Sequence, residues 1–277
     1  MTAIFIFFFL PVLAALVMSF TDFDIYSLGD ISRARFVGFS NYIDLFKNPL
    51  FWKALGNTGY FVLVGVPLSI LISMLAAMAL NSKMLRFKPF FRLTFFLPVV
   101  TTLVAVAVIW RYIYQARFGL LNYLLSFVGI NPVDWLGNPR WAMLALIIMA
   151  VWKGFGYNMI IFVAGLQNIP ETLYEAARLD GANGWQEFRN VTLPMLAQTT
   201  GFITITTLIG YCQFFAEPYV MTDGGPLNST LSIVLMMYKE GFKFWRMGYS
   251  AAIAFILFGI ILIITLIQLR IQKHHEI

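Results

Sequence analysis

The chain has 277 residues, 60% of them hydrophobic and only 12% charged, with 28 Phe and a mean hydropathy of +0.79. Soluble domains carry about 25% charged residues, so a water-soluble globule is excluded and the main solvent of this chain is lipid. The net charge of +6 comes from scattered Lys and Arg and not from a dense block, which excludes a phosphate-tracking nucleic-acid groove and leaves membrane topology as its meaning.

A membrane-spanning helix needs about 20 mainly apolar residues, because the hydrocarbon core is about 30 Å thick and each residue rises about 1.5 Å. Six stretches meet or approach this: Ala3–Phe20, Thr58–Leu80, Leu93–Trp110, Trp141–Leu166, Met195–Met221 and Gly248–Leu269. The expected fold is therefore all-α, a polytopic membrane protein with six transmembrane helices in a single domain over residues 1–277. The first stretch lacks a basic n-region and a small-residue cleavage site, so it reads as a retained helix and not a secretory signal. Its bare start reads as a truncated N-terminus or a late start codon. Pro11, Pro67 and Pro98 fall inside or beside spans, where neighbouring helices re-satisfy freed backbone groups. The single cysteine, Cys212, lies in an apolar run and allows no intrachain disulfide.

Between the spans, Phe39–Leu55 mixes aromatics with Asp44, Lys47 and Lys53, as an interfacial helix would. Thr230–Tyr238 is apolar but too short to span, so it dips into the interface or packs on a neighbour. With both termini placed in the cytoplasm, eight Lys/Arg are cytoplasmic and nine external, and the total does not decide the orientation. Density leans one way: Lys83, Arg86, Lys88 and Arg92 crowd one short loop.

The most informative stretch is polar. Ile169 to Pro194 reads IPETLYEAARLDGANGWQEFRNVTLP between two apolar runs. Residues 170–180 read as one helix, with Pro170 at its first position and Gly181 as the left-handed residue that ends it. Residues 184–190 read as a second, with Asn183 as cap and Gln186 completing a capping box. This helix–turn–helix is too short and too charged to cross a bilayer. Ala176 and Ala177 form a small-residue patch that another surface can approach, and Glu175 and Asp180 offer it carboxylates. From the residues alone, a docking element and a plain connector fit equally.

Glu175-Ala176-Ala177, Asp180-Gly181-Ala182, Phe188, Leu193 and Pro194, with Leu166 to Pro170 upstream, resemble the EAA loop of binding-protein-dependent ABC importer permeases. Met221-Thr222-Asp223-Gly224-Gly225-Pro226 followed by Thr230 resembles the external TxGGP segment of the carbohydrate, maltose-type branch. Phe36–Tyr42 and Phe51–Thr58 are similar to the same branch near its first external loop. The resemblance covers nearly the whole chain, and the place of the TxGGP segment suggests the first of two paired permeases, the MalF/UgpA-like one. It implies a permease subunit of an ATP-driven importer for a sugar or oligosaccharide in a bacterial or archaeal cell (inner or plasma) membrane. The partners it implies are a second, MalG-like permease, two ATP-binding cassette subunits that grip the EAA loops, and an extracytoplasmic sugar-binding protein. It also implies that loop 167–194 and the C-terminus are cytoplasmic, and that Glu175, Ala176, Ala177, Asp180, Gly181 and Ala182 couple to the ATPase.

No G-x-x-x-x-G-K-[ST], G-x-S-x-G or H-E-x-x-H occurs, so the chain is expected to be non-catalytic, with no cofactor. The only histidines, His274 and His275, read as solvated tail and not as metal ligands. Lys153 stands near the middle of the fourth span, where a charge costs roughly 2.5–3.5 kcal/mol and faces a cavity or a partner. A contact to substrate and an ion pair with the other permease fit it equally, and Gly154 and Gly156 would let the backbone bend toward a ligand. Glu217-Pro218 reads as a wet helix end. The resemblance puts the sugar pathway between the fourth and fifth spans, where Tyr157 matches a tyrosine of the family's W-x-G-F-x-Y stretch. Tyr211 and Gln213 join Lys153 and Tyr157 as pathway candidates, while Thr207 and Phe214 read as packing residues. The alternative is an ion-coupled secondary transporter. That class carries inverted repeats, broken helices and buried carboxylates, whereas no Asp or Glu is expected near a span centre here.

Overall fold

The computed structural model describes residues 5–82 and 85–273, so His274, His275, Lys83 and the first residues of the N-terminal stretch lie outside the described residues. Among the described residues the regular secondary structure is helical, apart from one isolated antiparallel bridge between Thr21 and Phe36. Among the described residues three helices are long and apolar enough to cross a membrane: α3 (Pro49–Asn81), α6 (Pro139–Gln167) and α12 (Met247–Lys273). A shorter apolar helix, α1 (Phe5–Ser19), precedes them, and α2 (Ser40–Lys47) lies between α1 and α3.

The expected third span is not one helix. α4 (Lys88–Val100) stops at Thr101–Thr102, and α5 (Leu103–Ile113) leaves at 100° to it. Pro98 inside α4 cannot donate to the helical ladder and crowds the preceding turn. Both threonines then adopt extended backbone, and the Thr101 hydroxyl donates to the Pro98 carbonyl at 2.6 Å. The expected fifth span is also divided. α9 (Ala197–Cys212) meets the preceding segment α8 (Gly184–Met195) at 64°, and a break at Gln213–Phe215 separates it from α10 (Ala216–Met221). Apolar composition does not register these breaks, because a break with its carbonyls satisfied costs no hydropathy.

Three further expectations change. Phe39–Leu55 is not one interfacial helix. It ends at Lys47, and Asn48 caps α3 through its side chain, with Pro49 in the first turn, so residues from Pro49 onward belong to the long helix. α3 has 33 residues, about 50 Å at 1.5 Å each, which exceeds the hydrocarbon core. α6 runs unbroken through Gly154 and Gly156. Gly156 serves close packing instead: a Cβ there would run into the Phe95 carbonyl oxygen of α4, so the two backbones touch. Glu217 is buried, 8% exposed, not a wet helix end.

Packing puts α6 at the centre. Met143, Leu146, Ile147 and Met149 meet Phe61 of α3, Tyr114 and Phe214 in one cluster. Met159, Phe162 and Leu166 meet Met74 and Leu80 of α3 and Ile203 of α9 in a second. A third, outer cluster joins Leu45 and Phe51 to α11 (Ile233–Tyr238) and to Tyr249 and Ile253 of α12. α11, the apolar segment too short to span, therefore packs on its neighbours.

Candidate functional site

Two features stand apart from the apolar bundle. The first is the polar hairpin between α6 and α9. Here α7 (Glu171–Leu179) is preceded by Pro170, which occupies the cap and not the first helical position. α7 ends in a paired turn: the Ala182 amide donates to the Ala177 carbonyl at 2.9 Å and the Gly181 amide to that of Arg178 at 3.0 Å. This is the Schellman arrangement, which needs a left-handed residue at the position of Gly181, and Gly181 has φ +81°. Asn183 then caps α8: its side chain accepts from the Gln186 amide at 3.0 Å, and the Gln186 side chain accepts from the Asn183 amide at 2.7 Å.

Side chains fix the hairpin's angle. Arg178 donates to Glu187 at 2.9 Å and lies 4.0 Å from Glu171. The Glu187 hydrogen bond, followed by its charge, holds the guanidinium above its ordinary range. Tyr174 and Thr192 share a hydroxyl hydrogen bond of 2.9 Å. Tyr174 and Phe188 pack against the cluster of α3, α6 and α9, so the hairpin is braced on the spans.

Ala177, Asp180, Gly181 and Ala182 share a hollow of about 320 Å³ with Gln186 and Asn190. Glu175 and Ala176 are exposed and lie outside its lining. Sequence reasoning missed two residues. Leu179 is 89% exposed and Trp185 67% exposed on this polar hairpin.

The second feature is a cleft of about 190 Å³ between α3, α6 and α9. Its lining is Ser69, Gly154, Tyr157, Asn158, Thr206, Thr207, Gly210 and Tyr211. Asn158 is the hub: its amide donates to Thr207 at 3.0 Å and to Ser69 at 3.3 Å, tying the three helices together. Tyr157 is 51% exposed, with its ring free to meet a ligand. The accessible wall of the cleft is almost wholly apolar and carries no charged side chain, because Ser69, Asn158 and Thr207 spend their polar groups on one another.

Of the four pathway candidates, the cleft brings together Tyr157 and Tyr211. Gln213 lies exposed at the end of α9, outside the lining. Lys153 donates instead to the Pro98 and Val99 carbonyls at 3.2 and 3.3 Å, the end of α4 at its break. Thr207 is buried under Asn158, and Phe214 stacks on Phe61 at 3.9 Å, as packing residues do. Ser69 was missed, because a single serine in an apolar span carries no signal until its neighbours across the helices are known.

The profile described as "binding-protein-dependent transport system inner membrane component" matches residues 1–275. The chain is 37% identical over 271 residues to the lactose transport system permease protein LacF of Rhizobium radiobacter, covering 96% of this chain and 89% of that one. It is 35% identical to the arabinooligosaccharides transport system permease protein AraP of Bacillus subtilis (strain 168), covering 96% and 84%. A crystal structure of a bacterial ABC transporter involved in the import of the acidic polysaccharide alginate superposes with a TM-score of 0.78, covering 99% of this chain and 92% of that one, at 22% identity. That likeness is one of fold.

Proposed function

We propose, from the premise that this chain belongs to the family of binding-protein-dependent transport system inner membrane components, that it is one of two permease subunits of an ATP-driven importer of a neutral sugar or oligosaccharide. The names of its relatives support the substrate class. A second permease would face α6 and α9, two ATP-binding cassette subunits would hold the α7–α8 hairpin from the cytoplasm, and an external binding protein would deliver the sugar. The chain itself would be non-catalytic, with its C-terminus cytoplasmic.

The observation that carries this reading is the braced polar hairpin. Its Schellman turn and capping box make it rigid, Tyr174 and Phe188 join it to the spans, and Leu179 and Trp185 stand bare on it. The exposed Leu179 and Trp185 would give a partner apolar side chains to cover. In this reading Glu175, Ala176, Ala177, Asp180, Gly181 and Ala182 meet the ATPase, and movement of the hairpin tilts α6 and α9 about the cleft. Tyr157 and Tyr211 would stack against the sugar within the membrane, with Gln213 at the cleft's outer approach.

The test is reconstitution of all subunits in vesicles. ATP and loaded binding protein should drive sugar uptake with no ion gradient present. Uptake driven by a proton or sodium gradient without ATP would assign the chain to the ion-coupled class instead.

A further inference from the structure

Lys153 lies near the middle of α6, yet its ammonium does not enter the cleft. It reaches the end of α4, where the break at Thr101–Thr102 removes helical partners from the last carbonyls, and it bonds those of Pro98 and Val99 at 3.2 and 3.3 Å. The end of a helix is where a cation is favoured, because the unsatisfied carbonyls carry the negative end of the helix dipole. Two neutral carbonyls do not balance a full charge in an apolar bundle. The acidic group within electrostatic reach is Glu217, on α10, which is 8% exposed, has no hydrogen-bond partner at its Oε2 among the described residues and makes no direct ion pair with Lys153. α10 packs chiefly against α5, the far arm of the same elbow, and also touches α6. The break, its two arms, the centre of α6 and α10 are thus neighbours in one region, which holds the Lys153 ammonium and the Glu217 carboxyl.

We propose that Lys153 is a positioning residue: with Glu217 as its counter-charge it clamps the α4–α5 elbow to the middle of α6, and so sets the pathway wall and leaves the cleft uncharged. This rests on the reading of the cleft as the pathway. Gly154 follows Lys153 directly, and Tyr157 lies one turn further along the same helix, so the clamp and the wall share one rigid turn of backbone. The helix ends two residues after Pro98, and Lys153 meets the carbonyls left free by the break. A span interrupted in this way keeps its shape in lipid only while something meets the freed carbonyls. Removing Lys153 alone leaves a buried carboxylate without a counter-charge, and removing the Glu217 charge alone leaves a part-buried ammonium in an apolar bundle, so each single loss costs more than the loss of both.

The experiment uses the complete importer purified in lipid nanodiscs, carrying Lys153→Met, Glu217→Gln, the double variant, or Lys153→Arg. Two quantities are read without any sugar: the melting temperature of the complex, and the maleimide labelling rate of a cysteine placed at Tyr157 in a Cys212→Ala background. Each single neutralisation should lower the melting temperature by about 5 °C and shift the labelling rate by about threefold or more. The double variant should recover at least half of both changes, and Lys153→Arg should keep the wild-type values. If the single variants fail to assemble, recovery of the complex in the double variant takes the place of the melting temperature. The proposal is overturned if the double variant shows the sum of the two single losses, or no recovery of assembly. It is equally overturned if Lys153→Met leaves stability and labelling unchanged while raising only the KM for uptake, which would place Lys153 on the substrate. Failure of the wild-type importer to move sugar would refute the proposed function, and the charge couple would still stand or fall on the double variant.

Discussion

Gly181 offers the sharpest test of the hairpin, because its cost can be worked from geometry. The residue has φ +81°, and both hydrogen bonds of the Schellman turn depend on that backbone, the Ala182 amide to Ala177 at 2.9 Å and the Gly181 amide to Arg178 at 3.0 Å. A side chain in the left-handed region costs about 1–2 kcal/mol, less for Asn and more for a β-branched residue. A Cβ at Gly181 would meet nothing within 4 Å, so packing inside the chain adds no further cost. One to two kcal/mol lowers the population of the turn by a factor of about 5 to 30. Uptake and binding-protein-stimulated ATP hydrolysis by the reconstituted importer should therefore be highest in the wild type. Both should then fall through Gly181→Asn and Gly181→Ala to Gly181→Val, while membrane insertion stays intact. Asn is larger than Ala, which separates backbone from bulk. A variant series ranked by side-chain size, with Gly181→Ala above Gly181→Asn, would refute the backbone argument, and wild-type activity in Gly181→Val would refute the hairpin's role altogether.

Asn183→Ala removes the side-chain acceptor from the α8 cap and should destabilise the hairpin by about 1 kcal/mol, read as faster amide exchange at Gln186; unchanged exchange would show that the cap is redundant. Tyr157→Ala should abolish uptake while binding-protein-stimulated ATP hydrolysis persists, and loss of both together would mark Tyr157 as a packing residue. Gly156→Val forces α4 and α6 apart at Phe95 and should prevent assembly of the complex on size-exclusion, whereas normal assembly would contradict the close backbone contact. Asp22 accepts from the Arg35 amide at 2.7 Å and its guanidinium at 3.0 Å, and the amide bond first, then the side chain and its charge, hold the carboxyl below its ordinary 3.8. That stabilisation is complete above pH 3.8 and is lost as pH falls through the lowered value. Protection factors of the Asp22 and Val37 amides should therefore decline below pH 3.8 in the wild type, and Asp22→Asn should abolish that decline; an identical decline in both would refute the assignment.

The linear pattern determined what is local or compositional. A content of 60% hydrophobic residues dictates a lipid solvent, because no arrangement of so few charges covers a soluble surface. The hairpin was legible for a similar reason: Gly181 and the Asn183–Gln186 box act on backbone close by in the chain, so their geometry follows from order alone and is found as read. What depends on partners across the bundle was not legible. Pro98 signals a helix defect, but proline in a membrane helix is compatible with a mild kink or a full break, and only the folded chain shows a turn of 100° there, with Lys153, 55 and 54 positions later, on the Pro98 and Val99 carbonyls. Glu217 looked like a solvated helix end because its neighbours in sequence include a proline and the close of an apolar run. Burial of α10 against α5 reverses that reading. Tyr157 and Tyr211 share a cleft while Lys153 and Gln213 leave it, because the direction in which a side chain points depends on helix rotation. That rotation is set by which faces α3, α6 and α9 bury against one another, a balance of packing that no single segment contains.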